Sequence, residues 1–363
     1  MRVLVVNAGS SSLKLSVVAD GAASEATTIE RWDGEGHLEP IQAFLDGLDP
    51  VDAVGHRIVH GGPKHQAAAS VDDDLLSYLS SIEDLAPLHN PRAVAAMREV
   101  HRLVNAPAVA CFDTAFHADL PAAARTYALP REWNERWSLR RYGFHGLSHA
   151  YAVRRAGEML DRPVAGLRIV TCHLGAGASL AAVVSGTSVD TTMGFTPLEG
   201  LVMATRCGSL DPGLVLWLIQ HGGVPVDELA RVLEKDSGLR GLAGSADLRD
   251  VVKARSGGDA DAALAFDVFV HRLRREVGAM AASARGIDVL VITGGIGEHS
   301  ALVRAHLADG LSHLGVALDP RRNDGAQDDT DISTPDAVVR TLVVRAGEEL
   351  EIARQVRDTL SRQ

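Results

Sequence analysis

The sequence predicts an α/β protein built from two related domains. Three observations carry that reading. The chain has 363 residues, more than one compact core usually holds and about right for two. Short apolar runs alternate with stretches of helical periodicity. Finally, RVLVVNAGSSSLKLSVV (2–18) can be laid on RIVTCHLGAGASLAAVV (168–184), Arg2 on Arg168 and Gly9 on Gly175, with about one residue of slip afterwards. Each copy reads strand, Gly/Ser turn, strand, so each domain opens on the same hairpin. Any two hairpins share this outline, and the echo alone does not separate duplication from coincidence.

The elements follow in order. Residues 3–6 read as a buried strand, 7–12 as turn chemistry and 13–18 as the return strand. Residues 20–50 are polar and read as an irregular excursion. The run 51–60 is strand-like and ends at Gly61-Gly62-Pro63. Val94, Met97, Val100 and Leu103 give helical spacing over 92–104, and the strand 108–112 delivers Asp113 at its end. After the second hairpin comes the loop MGFTPLEG (193–200), then helical signals at 213–220 and 226–235. Residues 264–284 form the strongest amphipathic pattern, with Phe266, Phe269, Leu273, Val277 and Met280 on one face. The run 288–293 is a buried strand that breaks at Gly294-Gly295, and a helix follows from about Ser300. A strand at 342–344 and a helix at 348–360 close the chain, with Glu348 and Glu349 at the acid-favouring end of the helix dipole.

Composition excludes several classes. A net charge of -11 argues against a nucleic-acid or anionic-membrane surface, while leaving room for a local basic pocket. Cys111, Cys172 and Cys207 are too few and too scattered for a disulfide framework or a CxxC metal site, which points to a reducing cytoplasm. The apolar run before Asn7 is too short for a signal h-region, and no stretch approaches a membrane span.

Several stretches carry chemistry. NAGSSSLK gathers Asn7, Ser10 and Ser12 around one turn, with Gly9 admitting close backbone approach and Lys14 adding charge. Alone, it reads as an ordinary solvated turn. HLGAG adds a second donor turn, and two such turns, one per domain, could clamp a phosphate chain on rigid hairpins. TGGIGEHS offers Gly294, Gly295 and Gly297 as a flat backbone for a base or ribose, though it is neither GxGxxG nor a Walker A loop. Arg57 in GHRIVHGG and Arg206 in MATRCGSLDPG sit in apolar surroundings and need anions. For a lone arginine a structural salt bridge, for example with Asp113 or Asp211, is the better reading; two such arginines in a chain with two phosphate-turn candidates shift the balance toward ligand anions. His56 and His60 are four apart but lack the glutamate of HExxH. His89, Asp113 and His145 are single polar groups in apolar stretches, and no nucleophile elbow accompanies them.

VVNAGSSSLK, GHRIVHGG, APLHNP, FDTAFH, RRYGFHG, HLGAGAS, MGFTPLEG, ATRCGSLDP, GGIGEHS and GEELEIAR occur in one order. In that order they resemble the acetate kinase family over nearly the whole chain, most thinly at 20–50, where this sequence is shorter than usual. The resemblance implies the duplicated α/β fold of the acetate and sugar kinase/actin (ribonuclease H-like) superfamily around a nucleotide cleft. It implies an N-terminal domain of 1–117 plus 348–363, and a C-terminal domain of 118–347 with the adenosine site and a dimer interface. It implies a cytoplasmic homodimer that uses ATP/ADP and Mg²⁺ (or Mn²⁺) to interconvert acetate and acetyl phosphate, with no nucleic-acid or membrane partner.

Site roles come from the same resemblance. Asn7 matches the phosphate- and metal-region asparagine, Glu348 the magnesium-linked glutamate, and Ser10, Ser12 and Lys14 the first phosphate turn. Arg57 and Arg206 match the arginines that hold the substrate carboxylate and the transferring phosphoryl group. Asp113 matches the essential aspartate between them, and His145 the histidine that binds the phosphoryl group in the transition state. His89 and Arg140 match supporting polar residues, and Val59, Leu88, Phe144 and Pro197 the acyl pocket. His173, Gly175 and Gly177 belong to the second phosphate turn, and Asp247, Leu248, Arg249, Gly295, Ile296 and Gly297 to the nucleotide site.

Three positions depart from the family pattern. Ala176 stands where HLGNG has asparagine, His299 where GIGEN has asparagine, and Gly347 where TNEE has asparagine. Three readings compete with the leading one: a propionate or other short-chain acyl kinase, a pyrophosphate-dependent enzyme, and an actin-like nucleotide-binding protein without acyl chemistry. Gly294, Gly295 and Gly297 weigh against the second, and Arg57, Asp113, His145 and Arg206 together against the third.

Overall fold

The computed structural model describes residues 1–9, 12–30, 32, 38–87 and 89–362; Ser10 and Leu88, named above, lie outside them. The chain divides into two compact units. The first comprises Met1–Ala118, Phe144–Tyr151 and Gly347–Gln363, the second Asp119–Gly143 and Ala152–Ala346.

The first unit holds a six-stranded sheet of β1 (Val3–Ala8), β2 (Ser12–Ala19), β3 (Ala22–Glu30), β4 (Ala53–Ile58), β5 (Ala69–Ser70) and β6 (Ala108–Phe112). Its order is β3-β2-β1-β4-β6-β5. The first three strands are antiparallel, whereas β1, β4 and β6 run parallel. Parallel strands are covered on both faces, which explains their nearly unbroken apolar runs. Alternation along β1 sorts the two faces. Leu4 and Val6 join Val94, Met97 and Val100 of the helix Asn90–Leu103 in one core. Val3 and Val5 join Ile352, Ala353 and Val356 of the last helix, Glu348–Leu360, in the other.

The second unit repeats the plan. Its strands are β7 (Arg168–Leu174), β8 (Ala178–Val184), β9 (Thr187–Thr191), β10 (Val289–Thr293), β11 (Thr330–Asp331) and β12 (Arg340–Val343). Read from its other edge, the order is β9-β8-β7-β10-β12-β11, strand for strand the order of the first sheet. Even the irregularities correspond: pairing shifts between Val17 and Val18 in β2 and between Ala182 and Val183 in β8. The echo between 2–18 and 168–184 is therefore a duplication. The apolar face expected on 264–284 is buried within the longer helix Ala260–Ser283.

Residues 20–50 correct the expectation of an irregular excursion. They carry β3 and the helix Leu38–Asp46. β3, AASEATTIE, is made mostly of small and polar residues at a sheet edge, with only Ile29 buried, so it lacks an apolar run. After β10 the helix expected from about Ser300 is present as Ala301–Asp309, with Ser300 at its cap, and a short helix not expected from the sequence, Gly294–His299, precedes it.

Candidate active site

Asn7 lies one residue before the end of β1, Arg57 one before the end of β4, and Asp113 directly after β6. Asn7 pairs with Arg57 in register, and Ile58 with Phe112. Ligands of open α/β sheets gather outside such carboxyl ends. The last helix packs on the same strands and presents Glu348 from its first turn.

Arg57 joins these groups. Its Nη1 donates to Asn7 Oδ1 at 3.1 Å and its Nη2 to Asp113 Oδ2 at 2.7 Å. Its Nε lies 3.9 Å from Glu348 Oε2, which accepts from Asn7 Nδ2 at 3.4 Å. Asp113 is buried, and among the described residues its Oδ1 accepts no hydrogen bond of normal geometry. Burial pushes the Asp113 carboxyl up to about 6; Arg57 pulls it back and Glu348 adds to the rise. Burial also disfavours the Arg57 guanidinium, but Asp113 and Glu348 outweigh that and hold its pKa above the ordinary value.

His145 reaches this corner through a special backbone. It sits at φ 57°, a left-handed conformation costing on the order of 1 kcal/mol in a residue other than glycine. Its carbonyl accepts from the His149 amide at 2.9 Å within the helix Gly146–Met159. The Gly146 amide donates to the Asp113 carbonyl at 3.0 Å, and a Cβ there would come within 2.0 Å of that oxygen. The end of RRYGFHG is thus docked on the backbone of Asp113. Val59 and Phe144 are buried, and the Phe144 ring meets His60 edge-to-face at 5.6 Å. Ser12 closes the first turn by accepting from the Gly9 amide at 2.8 Å, while Lys14 is exposed opposite Asn7. His89 stands at the N-cap of the helix Asn90–Leu103, where its backbone carbonyl accepts from the Ala93 amide at 3.0 Å and its side chain makes no capping bond.

Sequence reasoning misses Asn90. Its side chain is buried, accepts from the His60 amide at 3.2 Å and donates to the His60 carbonyl at 2.9 Å. It fixes the chain beside Val59. The available signal is Asn-Pro opening an apolar helix in APLHNP.

In the second unit, His173 lies near the end of β7, and the Gly175 amide donates to Gly177 at 3.0 Å to close the turn. Ala176 is exposed at the tip, and its carbonyl accepts from the Ala204 amide at 3.1 Å. That bond ties the turn to the segment bearing Arg206. Arg206 makes no ion pair within 4 Å among the described residues; Asp211 instead caps the helix Pro212–Gln220. Burial lowers the Arg206 pKa, with Glu234 opposing. Arg206 Nη1 donates to the Pro197 carbonyl at 3.5 Å. Arg140 is partly buried, with its guanidinium over the Tyr142 ring at 5.4 Å. Gly295 is exposed, and beyond its own helix backbone and chain neighbours no atom of the described residues lies within 4 Å of where a Cβ would stand; it adjoins half-buried Ile296, with buried Gly297 beyond. Asp247 caps the helix Leu248–Ser256 and pairs with exposed Arg249 at 2.5 Å, while Leu248 is buried.

Arg304 is a second residue missed. It is 1% exposed and donates to the carbonyls of Gly297 at 2.8 Å and Glu298 at 2.7 Å, bracing the Gly-rich turn from below. Glu298 Oε1 accepts from the Gly294 amide at 2.9 Å.

Gly347, one of the three departures, has a local cause. A Cβ there would lie 2.5 Å from the Tyr151 ring. Gly347→Ala is expected to cost about 1–3 kcal/mol through overpacking. Calorimetry would show it as a lowered Tm, and an unchanged Tm would mean that Tyr151 moves aside freely.

No group of three or more His, Cys, Asp or Glu side chains among the described residues is arranged to hold a metal. Magnesium carried by a nucleotide needs only one or two protein carboxylates, the remainder being phosphate oxygens and water. Glu348, 16% exposed beside Asn7, meets that requirement; Asn7 Oδ1 is already engaged by Arg57.

Duplicated sheets of one order, each opening on a Gly-containing hairpin turn, define the class: the α/β fold of sugar kinases and actin. Within that class, the sequence matches the Acetokinase family over residues 36–354, and the chain belongs to that family. An acetate kinase from Synechococcus sp. is 48% identical over 331 residues, covering 91% of this chain and 80% of its own. The crystal structure of Porphyromonas gingivalis acetate kinase superposes with a TM-score of 0.91 at 34% identity, covering 99% of both chains. A propionate kinase from Francisella tularensis gives 0.89 at 33% identity and 98% of both.

Proposed function

We propose that the chain transfers the γ-phosphoryl group of ATP to acetate, reversibly, giving acetyl phosphate and ADP by direct in-line transfer. The observation that carries this reading is the Arg57–Asp113–Asn7–Glu348 cluster at the carboxyl ends of parallel strands, in a chain of the acetokinase family.

A carboxylate is already a nucleophile, so no strong base is needed. The difficulty is bringing two anions together and stabilising the transferring group. Arg57 draws the acyl carboxylate, with Asp113 fixing the plane of its guanidinium. Arg206, free of ion pairing among the described residues, meets phosphoryl charge, and His145 binds the same group. Glu348 would hold magnesium, which supplies charge neutralisation on the phosphate oxygens when bound. Ser12, Lys14 and the turn at His173, Gly175 and Gly177 receive phosphates. Gly295, Ile296 and Gly297 seat the adenosine, with Asp247, Leu248 and Arg249 as its further contacts. Val59, Phe144 and Pro197, with Leu88 and the supporting His89 and Arg140, shape the acyl end.

The test is hydroxamate trapping of acyl phosphate with Mg-ATP and formate, acetate, propionate or butyrate, with pyrophosphate as a parallel donor. Activity peaking at acetate with ATP supports the reading. Equal rates with butyrate would refute the small pocket. A propionate optimum is the second reading, favoured by the propionate kinase neighbour, because one methylene is worth only ~1–3 kcal/mol in such pockets.

The enzyme acts as a cytoplasmic homodimer in this reading. Three free cysteines support the compartment, and no helix among the described residues is long and apolar enough to cross a membrane. The helix Pro212–Gln220 supports the dimer: it has no charged and no buried residue, and Leu216 and Trp217 are 54% and 55% exposed. Trp217→Glu is expected to halve the mass measured by light scattering. An unchanged dimer would place the interface elsewhere.

A further inference from the structure

The loop 193–200 is held by a polar clamp that the roles above do not use. Arg141 Nη1 donates to the carbonyls of Thr192 at 3.2 Å and Met193 at 3.0 Å. The amides of Tyr142 and Gly143 donate to the Gly194 carbonyl at 3.1 and 3.3 Å. The Phe195 amide donates to Tyr127 Oη at 2.7 Å. Glu199 then closes the loop, its Oε2 accepting from Tyr127 Oη at 3.0 Å and its Oε1 from Arg141 Nη2 at 2.7 Å. Position 194 has no room for a side chain, since a Cβ would meet Glu199 Oε2 at 1.8 Å and Tyr127 Oη at 2.3 Å. Burial and the Glu199 carboxylate push the Tyr127 phenol up to about 12, so it remains a donor.

The clamped loop reaches two groups of the proposed reaction. Pro197 lies between its two held ends, and the Pro197 carbonyl accepts from Arg206. Arg141 and Glu199 share one charge-assisted hydrogen bond, Nη2 to Oε1, while the other end of each side chain is held elsewhere, Arg141 Nη1 by the Thr192 and Met193 carbonyls and Glu199 Oε2 by Tyr127.

We propose that Glu199, gripped by Tyr127 and Arg141, is a positioning residue that sets acyl-chain selectivity by fixing Pro197 and its bond to Arg206. This rests on the acyl-phosphate reading of the site. With the clamp intact, the pocket wall cannot retreat to admit a longer chain. Loosened, it yields to propionate and lets Arg206 drift.

The test uses Glu199→Gln and Tyr127→Phe in the full chain, with folding checked by circular dichroism. In both, the propionate-to-acetate ratio of kcat/KM is expected to rise roughly 3-fold or more, within the range one methylene can discriminate. kcat with acetate should fall ~10-fold as Arg206 loses its alignment. A wild-type ratio in a folded variant overturns the proposal whatever happens to kcat. Should Glu199→Gln fail to fold, Tyr127→Phe decides. Wild-type acyl phosphate formation tests the underlying reading separately. Hydrogen exchange at 192–199 reads the clamp without any activity: it should quicken in both variants, and unchanged exchange would also overturn it.

Discussion

Arg57→Ala is expected to lower kcat by roughly 10²–10³-fold, the scale for removing one oriented electrostatic donor, and Arg206→Ala by a similar factor. The two differ in stability. Arg57 neutralises a buried carboxylate and bonds Asn7, so its loss strands Asp113 without a counter-ion. Breaking a buried pair from one side costs about 3–5 kcal/mol. Arg206 has no such partner among the described residues, so its alanine variant should keep a Tm near wild type. Steady-state acyl phosphate formation and thermal melts on both variants separate the effects. Near-normal turnover in either would refute that arginine's role. A stable Arg57→Ala would mean that Asp113 takes up a proton and sheds its charge.

That contrast also shows what can be read from the chain. Arg57 in an apolar strand and Asp113 at the end of another are visible as isolated polar residues. Their meeting depends on β4 and β6 being parallel neighbours, which a linear pattern does not state. The hairpin echo points to the duplication, but the shared strand order of the two sheets is needed to establish it. Edge strand β3 escapes a sequence reading because its exposed face removes the apolar run that marks a strand. Asn90 and Arg304 escape it for a common reason. Each acts through backbone carbonyls or amides elsewhere in the chain, and such bonds leave no spacing signature. Asp247 and Arg249 show the reverse: residues assigned by resemblance that here pair with each other at an exposed helix start.

Asp113→Asn is the sharper probe of how the cluster works. The amide keeps the shape of the carboxyl and can accept from Arg57, but it carries no charge and so cannot form the ion pair. kcat is expected to fall about 10²-fold or more, because the guanidinium loses the charged partner that sets its plane. The pH profile carries the diagnosis. With its pKa raised to about 6, Asp113 ionises only above that pH, so wild-type kcat/KM should drop as pH falls through about 6. The asparagine variant has no proton to gain there, and its residual activity should lack that limb. Stability runs the other way. A carboxyl raised from 3.8 favours the folded state at low pH, and that contribution is lost as pH rises through about 6. Denaturant melts across this window should slope downward for wild type and lie flatter for Asp113→Asn. An acid limb that survives the substitution would assign the titration to another group and leave Asp113 a structural counter-ion.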